Sequence, residues 1–403
     1  MCYCDKSGEP KKIHYNQNEK TQIAYWAFLC SLLIIILGVS PDCPAANQYI
    51  FKDLYAIPGG KPMVGGQAVG TAANGPALWL ADGTLVSLGV PQGFMNAFGS
   101  AGYGNQQVGY GLTSTGPFHY HAFLWTGSAS SFVDLHPGSR YFNSQANQTD
   151  GSEQIGWADN SVSQDAGFWK GSPSSFVDLH PSTFHSSEGL GISPTEQVGD
   201  GYPQGINSIH ALLWHGTASS AVDLNPAVVG QYGSSSAVAT AGNQQVGNAT
   251  MPAQNSPTPP PQAHAYLWTG TAASAVDLNP SGAGISSALG TNGFQQVGYF
   301  QVPNGLATFE SPQACVWSGT ADSVIDLGAL LPAIEDYSMA TAIDASGDVF
   351  GTALNGDDGK WHVIEWMPES TPEPGLLMVG VCIAFMLLSR RKFAPSTNAT
   401  ASL

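Results

Sequence analysis

Apolar residues partly alternate with small or polar residues along short runs in the middle of this chain, and each run ends at a glycine or a proline. Two examples are AFLWTG, which begins at Ala122, and SFVDLHP, which begins at Ser131. A period of two bounded by turn residues predicts short antiparallel strands. No stretch between residues 47 and 367 has the apolar spacing of a long amphipathic helix. We therefore expect an all-β body over these residues.

The strand pattern recurs along the chain. Five copies place an aspartate nine residues after a tryptophan, in the pairs Trp125/Asp134, Trp169/Asp178, Trp214/Asp223, Trp268/Asp277 and Trp317/Asp326. A Gln-Val-Gly-type strand precedes each tryptophan, and pairing the two landmarks defines seven units, which adds Trp79 and Trp366. Neighbouring tryptophans are 44 to 54 residues apart. Repeats of about 45 residues are typical of the four-stranded blades of a β-propeller, whereas the coils of a β-helix are shorter.

The last unit is incomplete, because no Val-Asp-Leu strand follows Trp366. A similar segment, YIFKDL from Tyr49 to Leu54, stands ahead of the first unit. Pairing that segment into the last blade would close a ring and remove the open sheet edges. An open superhelix would instead need two capping ends. The sequence thus predicts a seven-bladed β-propeller over residues 47–367, closed by an N-terminal strand.

Residues 1–46 have a basic start, an apolar run from Ile23 to Val39 and a small-residue end at Ala45 and Ala46. This order predicts a secretory signal peptide. An uncleaved anchor helix is the alternative, since the run is close to the lower length limit for a membrane span. Either interpretation exports the body of the protein.

Three elements follow the body in order: a Pro-Glu-Pro linker at 368–374, an apolar helix with a basic stop at 375–392, and a tail at 393–403. The tripeptide is Pro372, Glu373 and Pro374, and the basic stop is Arg390, Arg391 and Lys392. This order resembles the PEP-CTERM sorting signal, which implies processing by an exosortase-type enzyme at the surface of a bacterium. An ordinary membrane anchor is the alternative, and in both cases the terminal apolar segments would contact the membrane before processing.

The repeats also resemble an extracellular repeat family named for a His-Ala-Phe motif. His121-Ala122-Phe123 matches the motif outright, while His210-Ala211-Leu212 and His264-Ala265-Tyr266 are near matches. The copies at Ala166 and Ala314 lack the histidine. The resemblance implies an exported repeat protein of undefined activity.

Charge and cysteine content narrow the classes of function. Between Asn47 and Ser389 there are 25 acidic and five basic residues, a balance of −20. Such a surface repels phosphate backbones, so nucleic acid is excluded as a partner. Of the six cysteines, only Cys43 and Cys315 could remain in the mature body. A packed core rather than disulfides is therefore expected to stabilise the fold.

The repeated aspartates do not indicate catalysis, because acid–base chemistry needs one or two carboxylates with different pKa values rather than five equivalents. We expect each aspartate to accept hydrogen bonds from a nearby turn or indole. We expect the tryptophans to be packing anchors between blades. The sequence contains no nucleophile-elbow, phosphate-loop or dinucleotide motif.

No cofactor is expected. Two oxygen-rich turns, Asn355 to Gly359 and Asp344 to Asp348, could hold calcium weakly. Neither has the spacing of a known calcium loop, and plain turns are the alternative.

Length varies mainly between the Gln-Val-Gly valine and the following tryptophan, where it ranges from 10 to 22 residues. Such insertions share one face of a ring and often mark a binding side, although loops also vary where nothing constrains them. The residues predicted to lie in these ligand-face loops are Tyr110, His119, Tyr120, Tyr202, Phe300 and Phe309.

These observations favour an exported, surface-sorted propeller that binds exopolysaccharide or surface proteins, or forms part of a biofilm matrix, without catalysis. The alternative is a propeller enzyme that acts on extracellular polysaccharide, because a fold alone excludes neither function. One cluster of carboxylates with a basic or aromatic neighbour at the channel would favour the enzyme. Equivalent residues repeated around the ring would favour the binding protein.

Overall fold

The structure is a computed structural model that describes residues 49–250, 262–304, 309–332 and 337–369. It also describes the strands Tyr3–Cys4 and Pro10–Lys11, which pair antiparallel. The predicted signal at 1–46 lies almost entirely outside the described residues, and so does the sorting signal with its Pro-Glu-Pro tripeptide, apolar helix and basic stop. In the part of the chain that is described, no helix is long and apolar enough to cross a membrane.

Seven four-stranded antiparallel sheets make up the body, which confirms the predicted all-β propeller. Blades 1 to 4 consist of Lys61–Pro62, Ala68–Ala72, Gly75–Trp79 and Leu85–Ser87; Phe94–Tyr103, Gln106–Thr113, Tyr120–Trp125 and Val133–Asp134; Asn143–Thr149, Gln154–Asp159, Gln164–Trp169 and Val177–Asp178; and Phe184–Ile192, Gln197–Pro203, His210–Trp214 and Val222–Asp223. Blades 5 to 7 consist of Ser234–Ala241, Gln244–Thr250, Ala263–Trp268 and Val276–Asp277; Ile285–Thr291, Gln296–Gln301, Gln313–Trp317 and Ile325–Asp326; and Tyr337–Ile343, Val349–Asn355, Lys360–Pro368 and Tyr49–Ile57.

Within each blade the strands pair in the order just given, from first to fourth. First strands of neighbouring blades contact each other from blade 2 to blade 7, and that of blade 7 contacts that of blade 1. The first strands therefore surround the axis of the ring, and the fourth strands lie outermost. Short 3-10 turns lie at Ala129–Ser131, Pro173–Ser175, Ala218–Ser220, Ala272–Ser274, Ala321–Ser323 and Gly328–Leu330.

The ring closes as the sequence predicts. Tyr49–Ile57 pairs antiparallel with Lys360–Pro368, and Phe51 lies opposite Trp366. This strand, which we call the clasp strand, runs three residues beyond the predicted Leu54. Blade 7 also contacts blade 1 directly, where Thr341 Oγ1 donates a hydrogen bond to the Pro62 carbonyl at 3.3 Å. The clasp strand thus covers the outer edge of Lys360–Pro368, which would otherwise be open.

Each tryptophan of blades 3 to 7 packs against the blade before it. Trp214, for example, lies in one apolar cluster with Ile155 and Phe168 of blade 3, and Trp366 lies with Val297 and Val316 of blade 6. The fully buried members of this series are Trp125, Trp169, Trp214, Trp268, Trp317 and Trp366. Because such rings bury large apolar areas, these contacts supply much of the stability of the blade boundaries.

The Gln-Val-Gly landmark has a defined role in five blades. Its buried glutamine side chain accepts a hydrogen bond from the backbone N–H of the glycine that follows the tryptophan. The pairs are Gln107/Gly127, Gln154/Gly171, Gln197/Gly216, Gln245/Gly270 and Gln296/Gly319, all at 2.7–2.9 Å. This bond ties the turn after the third strand to the second strand, so both landmarks recur together.

His362 links the clasp strand to blade 7. Its Nδ1 lies 2.7 Å from Asp53 Oδ2, and its Nε2 lies 3.3 Å from Asp358 Oδ2. Burial opposes protonation of this ring, but the hydrogen bonds and charges of Asp53 and Asp358 outweigh it and raise the pKa of His362. The protonated ring therefore stabilises the fold fully below about pH 6.5, the pKa of an unfolded histidine. That contribution is lost as pH rises through the higher folded pKa.

We expect His362→Gln to lower the melting temperature most at about pH 5.5 and to have a smaller effect above about pH 8. Thermal unfolding of both proteins across this range measures the difference. The exposed His185, changed to Gln, is the control and should leave the melting temperature unchanged. A difference between wild type and His362→Gln that stays constant with pH would contradict the linkage.

Candidate functional site

The five repeated aspartates cap turns. In four of them one carboxylate oxygen accepts the backbone N–H two residues further on, at 2.8–2.9 Å, and Asp326 accepts that of Ala329 at 2.9 Å. Of the two expected partners, the turn supplies these bonds and the indole does not, since Nε1 of the five preceding tryptophans has no hydrogen-bond partner among the described residues. These carboxylates therefore stabilise the backbone turn that follows the fourth strand.

The histidine of the His-Ala-Phe motif contacts the second oxygen of the same aspartate. The pairs are His121/Asp134, His210/Asp223 and His264/Asp277, each with Nδ1 2.8 Å from Oδ2. Burial works against protonation of His210, but the hydrogen bond and charge of Asp223 and the Gln231 carbonyl outweigh it and raise its pKa. The motif histidine thus joins the third strand to the fourth, and His362 with Asp53 repeats this arrangement in blade 7.

A buried serine on the first strand of the next blade joins neighbouring blades. Its Oγ accepts the backbone N–H of the motif alanine at 2.9–3.0 Å in the pairs Ser144/Ala122, Ser187/Ala166, Ser235/Ala211, Ser286/Ala265 and Ser338/Ala314. Between blades 3 and 4, Ser187 Oγ also lies 2.8 Å from His180 Nδ1, and Asp165 Oδ1 lies 3.8 Å from the same nitrogen. A catalytic relay needs serine and carboxylate on opposite ring nitrogens. This set is therefore structural, and Ser187 is only 2% exposed.

One row of cross-strand pairs departs from the repeat. It joins the first and second strands of blades 2 to 7, and we call it the variable rung. Its pairs are Phe98/Tyr110, Gln145/Trp157, Glu188/Asp200, Ser236/Asn248, Ser287/Tyr299 and Met339/Thr352. The next pair in every blade is glycine or alanine opposite glycine. Ten of these twelve residues are partly exposed. Half of the rung lies on the first strands, which surround the axis, and its neighbours are small, so we take the rung as the candidate ligand site.

Hydrogen bonds connect the variable rung across blades 3, 4 and 5. Gln145 Nε2 donates to Asn147 Oδ1 at 2.9 Å, and Asn147 Nδ2 donates to Glu188 Oε1 at 2.8 Å. Ser236 Oγ donates to Asp200 Oδ2 at 2.6 Å. Asn147 is the extra residue of a β-bulge, which interrupts the register after Ala146. The bulge and the rung therefore form one polar arc.

Glu188 and Asp200 are the only carboxylates in the variable rung, and they lie directly opposite each other. Burial raises the pKa of Glu188, although hydrogen bonds from Asn147 and Gln164 oppose the rise. Burial also raises the pKa of Asp200 to about 6, against the Ser236 hydrogen bond and with the help of the Glu188 charge. The raised pKa values bring the titration of this pair closer to neutral pH, which is the direction that general acid–base catalysis requires.

The variable rung was not predicted, although the sequence contains a pattern that marks it. The residue directly after each Gln-Val-Gly glycine changes from blade to blade, as in Tyr110, Trp157, Asp200, Asn248 and Tyr299. Because the Gln-Val-Gly pattern is constant and the residue after it changes, the packing of the blades does not fix the residue type at that position. The bulge decides which first-strand residue lies opposite this changing residue. The pairing could therefore not be derived from the spacing alone.

The predicted ligand-face loop residues do not form one site. Tyr110, Tyr120, Tyr202 and Phe300 lie in strands rather than loops, because the strands extend further than the turn residues suggest. Tyr110 belongs to the variable rung, and its ring lies 5.7 Å from that of Tyr120. Tyr202 is exposed, and Phe300 packs against the core between blades 5 and 6.

The other two members of that set also lie apart from the rung. His119 stacks on Phe142 at a centroid distance of 5.9 Å. Phe309 forms an isolated bridge with Pro303.

The two oxygen-rich turns use their side chains within the turn. Asp344 Oδ1 accepts the N–H groups of Ser346 and Asp348 at 2.8 and 3.0 Å. Asn355 Oδ1 accepts the N–H of Asp357 at 2.9 Å. Within the described ranges no three histidine, cysteine or acidic side chains group as metal ligands would.

No protein-family model matches the chain, and no curated protein matches it. The β-propeller domain of the Trilobed protease from Pyrococcus furiosus, described as an open velcro topology, has 11% identity and a TM-score of 0.43, covering 63% of this chain and 77% of that one. TolB from Acinetobacter baumannii has 10% identity and a TM-score of 0.35, covering 76% and 79%. A Trichoderma reesei protein of Carbohydrate-Active Enzymes Family AA12 has 10% identity and a TM-score of 0.31, covering 78% and 95%. Similarities this weak carry no argument about function, and the propeller fold follows from the seven sheets themselves.

Proposed function

We propose that this protein is exported, sorted to the bacterial cell surface, and binds an extracellular polysaccharide at the variable rung without cleaving it. The observation that carries the proposal is the contrast between the repeated scaffold and this one row of changing residues. The row combines aromatic faces, amides, hydroxyls and two carboxylates. Sugar rings present C–H faces that pack on aromatic rings, and hydroxyl groups that pair with amides and carboxylates.

The ends of the chain support the cellular part of the proposal. A signal-like N-terminal segment and a C-terminal segment that resembles an exosortase substrate would place the propeller in contact with exopolysaccharide. The surface charge is compatible with the same partner class, because a body with a balance of −20 repels nucleic acid, which carries one charge per about 1.7 Å of duplex, far more strongly than a glycan that is neutral or carries at most one charge per sugar ring.

We expect Trp157→Ala to weaken retention of the purified protein on exopolysaccharide from its own bacterium by about tenfold or more, which corresponds to about 1.4 kcal/mol. The reason is the loss of the largest aromatic face on the rung. Affinity electrophoresis in gels containing the polysaccharide measures the change. Phe294→Ala removes an aromatic ring that is 83% exposed and lies in the turn before the second strand of blade 6, and it should bind like wild type. Equal losses in both variants, or in neither, would overturn the assignment.

A second function is favoured by the pair Glu188 and Asp200. Two carboxylates with raised pKa values beside aromatic rung positions are the kind of cluster that a polysaccharide-cleaving enzyme uses. Incubating the protein with the same exopolysaccharide and measuring new reducing ends separates the two functions. Release that disappears in both Glu188→Gln and Asp200→Asn would replace binding by catalysis. Retention without release supports the binding protein.

A further inference from the structure

A second row of pairs lies two ladder steps from the variable rung and contains one charged residue. Its first-strand members, which follow the bulge in blades 2 to 7, are Lys61, Ala101, Gln148, Gly191, Ala239, Gly290 and Ala342. Each lies opposite a valine, isoleucine or phenylalanine of the second strand. Blade 1 thus places a lysine where five other blades have glycine or alanine.

Lys61 lines a cavity of about 70 Å³ between blades 1, 2, 3 and 7. Its walls include Ala101, Gln148 and Ala342 from the same row, together with Tyr103. Small residues on the neighbouring blades create the space, and the long polar side chains of Lys61 and Gln148 both border it. The rest of the lining is mostly apolar, and a cavity of this size has room for several water molecules or for one small charged group.

The other four basic residues of the propeller body all have acidic partners. The pairs are Lys52/Glu365, Arg140/Asp178, Lys170/Glu153 and Lys360/Asp358, with distances of 2.7–3.9 Å and basic side chains that are 59–72% exposed. Lys61 is only partly buried, and its amine takes part in no ion pair or hydrogen bond among the described residues. Burial lowers its pKa, and no neighbouring charge contributes to that shift.

An unpaired ammonium group in a confined site is unfavourable unless a partner supplies the missing negative charge. Among the residues that the structure describes, no carboxylate forms an ion pair with Lys61. A carboxylate carried by a bound ligand would supply the partner that these residues do not. The cavity is narrow and presents one cation, which suits a single carboxylate better than a group with a larger charge.

We propose that Lys61 is a subsite for the carboxylate of an acidic sugar, so that the polysaccharide bound at the variable rung contains uronic acid residues. This inference rests on the proposed function and names its substrate class. Along the strand direction the two rows are about 7 Å apart, from two steps of about 3.3 Å each, and the rung pairs in the blades on either side of Lys61 are Phe98/Tyr110 and Met339/Thr352. A chain of sugar rings is able to span both rows, with neutral faces on the rung and a carboxylate at Lys61.

The test compares three oligosaccharides of equal length by calorimetry with the full-length protein: an oligoglucuronate, its methyl ester, and a neutral oligoglucose. We expect the acid to bind at least tenfold more tightly than the ester. Lys61→Met should remove that preference while leaving the neutral oligosaccharide unaffected, and Lys61→Arg should keep most of it. Lys170→Met, a surface lysine with its own acidic partner, should behave as wild type.

Equal affinity for acid and ester would overturn the role of Lys61 alone, because binding of the neutral oligosaccharide reports the proposed function separately. Loss of all binding by wild type would overturn both. A preference for the acid that persists in Lys61→Met would also overturn the lysine subsite.

A second measurement uses the wild-type protein, so its result does not depend on whether the Lys61 variants fold. Reductive methylation followed by mass spectrometry reports how accessible each lysine amine is. Oligoglucuronate should protect Lys61 at least fivefold while Lys170 and Lys360 are modified as before, and the methyl ester should not protect. No protection of Lys61 by the acid, or equal protection by a sulfated oligosaccharide, would overturn the carboxylate assignment.

Discussion

Gly199→Ala is expected to destabilise the propeller by about 3 kcal/mol or more, because overpacking against backbone cannot be relieved by a side-chain rotation. A Cβ at this position would overlap the Glu188 carbonyl oxygen of the neighbouring strand. The same overlap occurs at the glycine of this landmark in six blades, namely Gly109, Gly156, Gly199, Gly247, Gly298 and Gly351. The first strand approaches so closely because its bulge begins immediately afterwards. Chemical denaturation of wild type and variant measures the loss.

Gly205→Ala is the matched control in the same blade. Gly205 has a φ of +77°, and a Cβ there would meet no atom within 4 Å. The variant should lose only about 1 kcal/mol, the cost of a left-handed backbone for an L residue. Equal losses in the two variants would contradict the close approach, because Gly199, unlike Gly205, has no positive φ that would add a backbone cost.

Removing the clasp strand is expected to cost about 5 kcal/mol or more. A chain that begins at Pro58 loses Tyr49 and Ile57, which are 5% and 2% exposed, and burying each such side chain contributes about 1.5–3 kcal/mol. It also leaves Lys360–Pro368 as an open edge, which favours association between chains. A chain that begins at Tyr49 keeps the whole clasp strand and is the matched comparison. Melting curves and size-exclusion chromatography of the two chains measure stability and association.

Addition of a peptide with the sequence of residues 49–57 tests the mechanism of that loss. The peptide should restore the melting temperature of the chain that begins at Pro58, since it can pair with the third strand of blade 7 in the same register. A shuffled peptide of the same composition should not. If the shorter chain melts at the same temperature as the longer one, closure by the clasp strand does not stabilise the ring.

Residue spacing was sufficient to predict the architecture. The interval from Trp214 to Asp223 recurs because each blade must place its third and fourth strands in the same register around a shared core. The segment from Tyr49 to Leu54 could be assigned to the last blade because it resembles the Val-Asp-Leu strand that is missing after Trp366. Both inferences depend on local pattern, which a repeat protein copies from unit to unit.

The candidate site could not be predicted in the same way. Glu188 and Asp200 are twelve residues apart and belong to no motif, so only the pairing of two strands reveals them as neighbours. Lys61 has an ordinary sequence context, and its isolation becomes visible only in the fold, where small residues of blades 2 and 7 and Gln148 of blade 3 line the same cavity. The aromatic residues that were assigned to loops show the same limit, since Tyr110 lies in a strand and meets Phe98 across it, with ring centroids 5.1 Å apart.

The sequence by itself determined the number of blades, the strands within each blade and the segment that closes the ring. These features repeat, and a repeated pattern of apolar and turn residues has one consistent solution. The tertiary structure decided which of the non-repeated side chains meet near the axis and which charge is left without a partner. The bulge in each first strand shifts the register by one residue, and such a shift changes which side chains share a face.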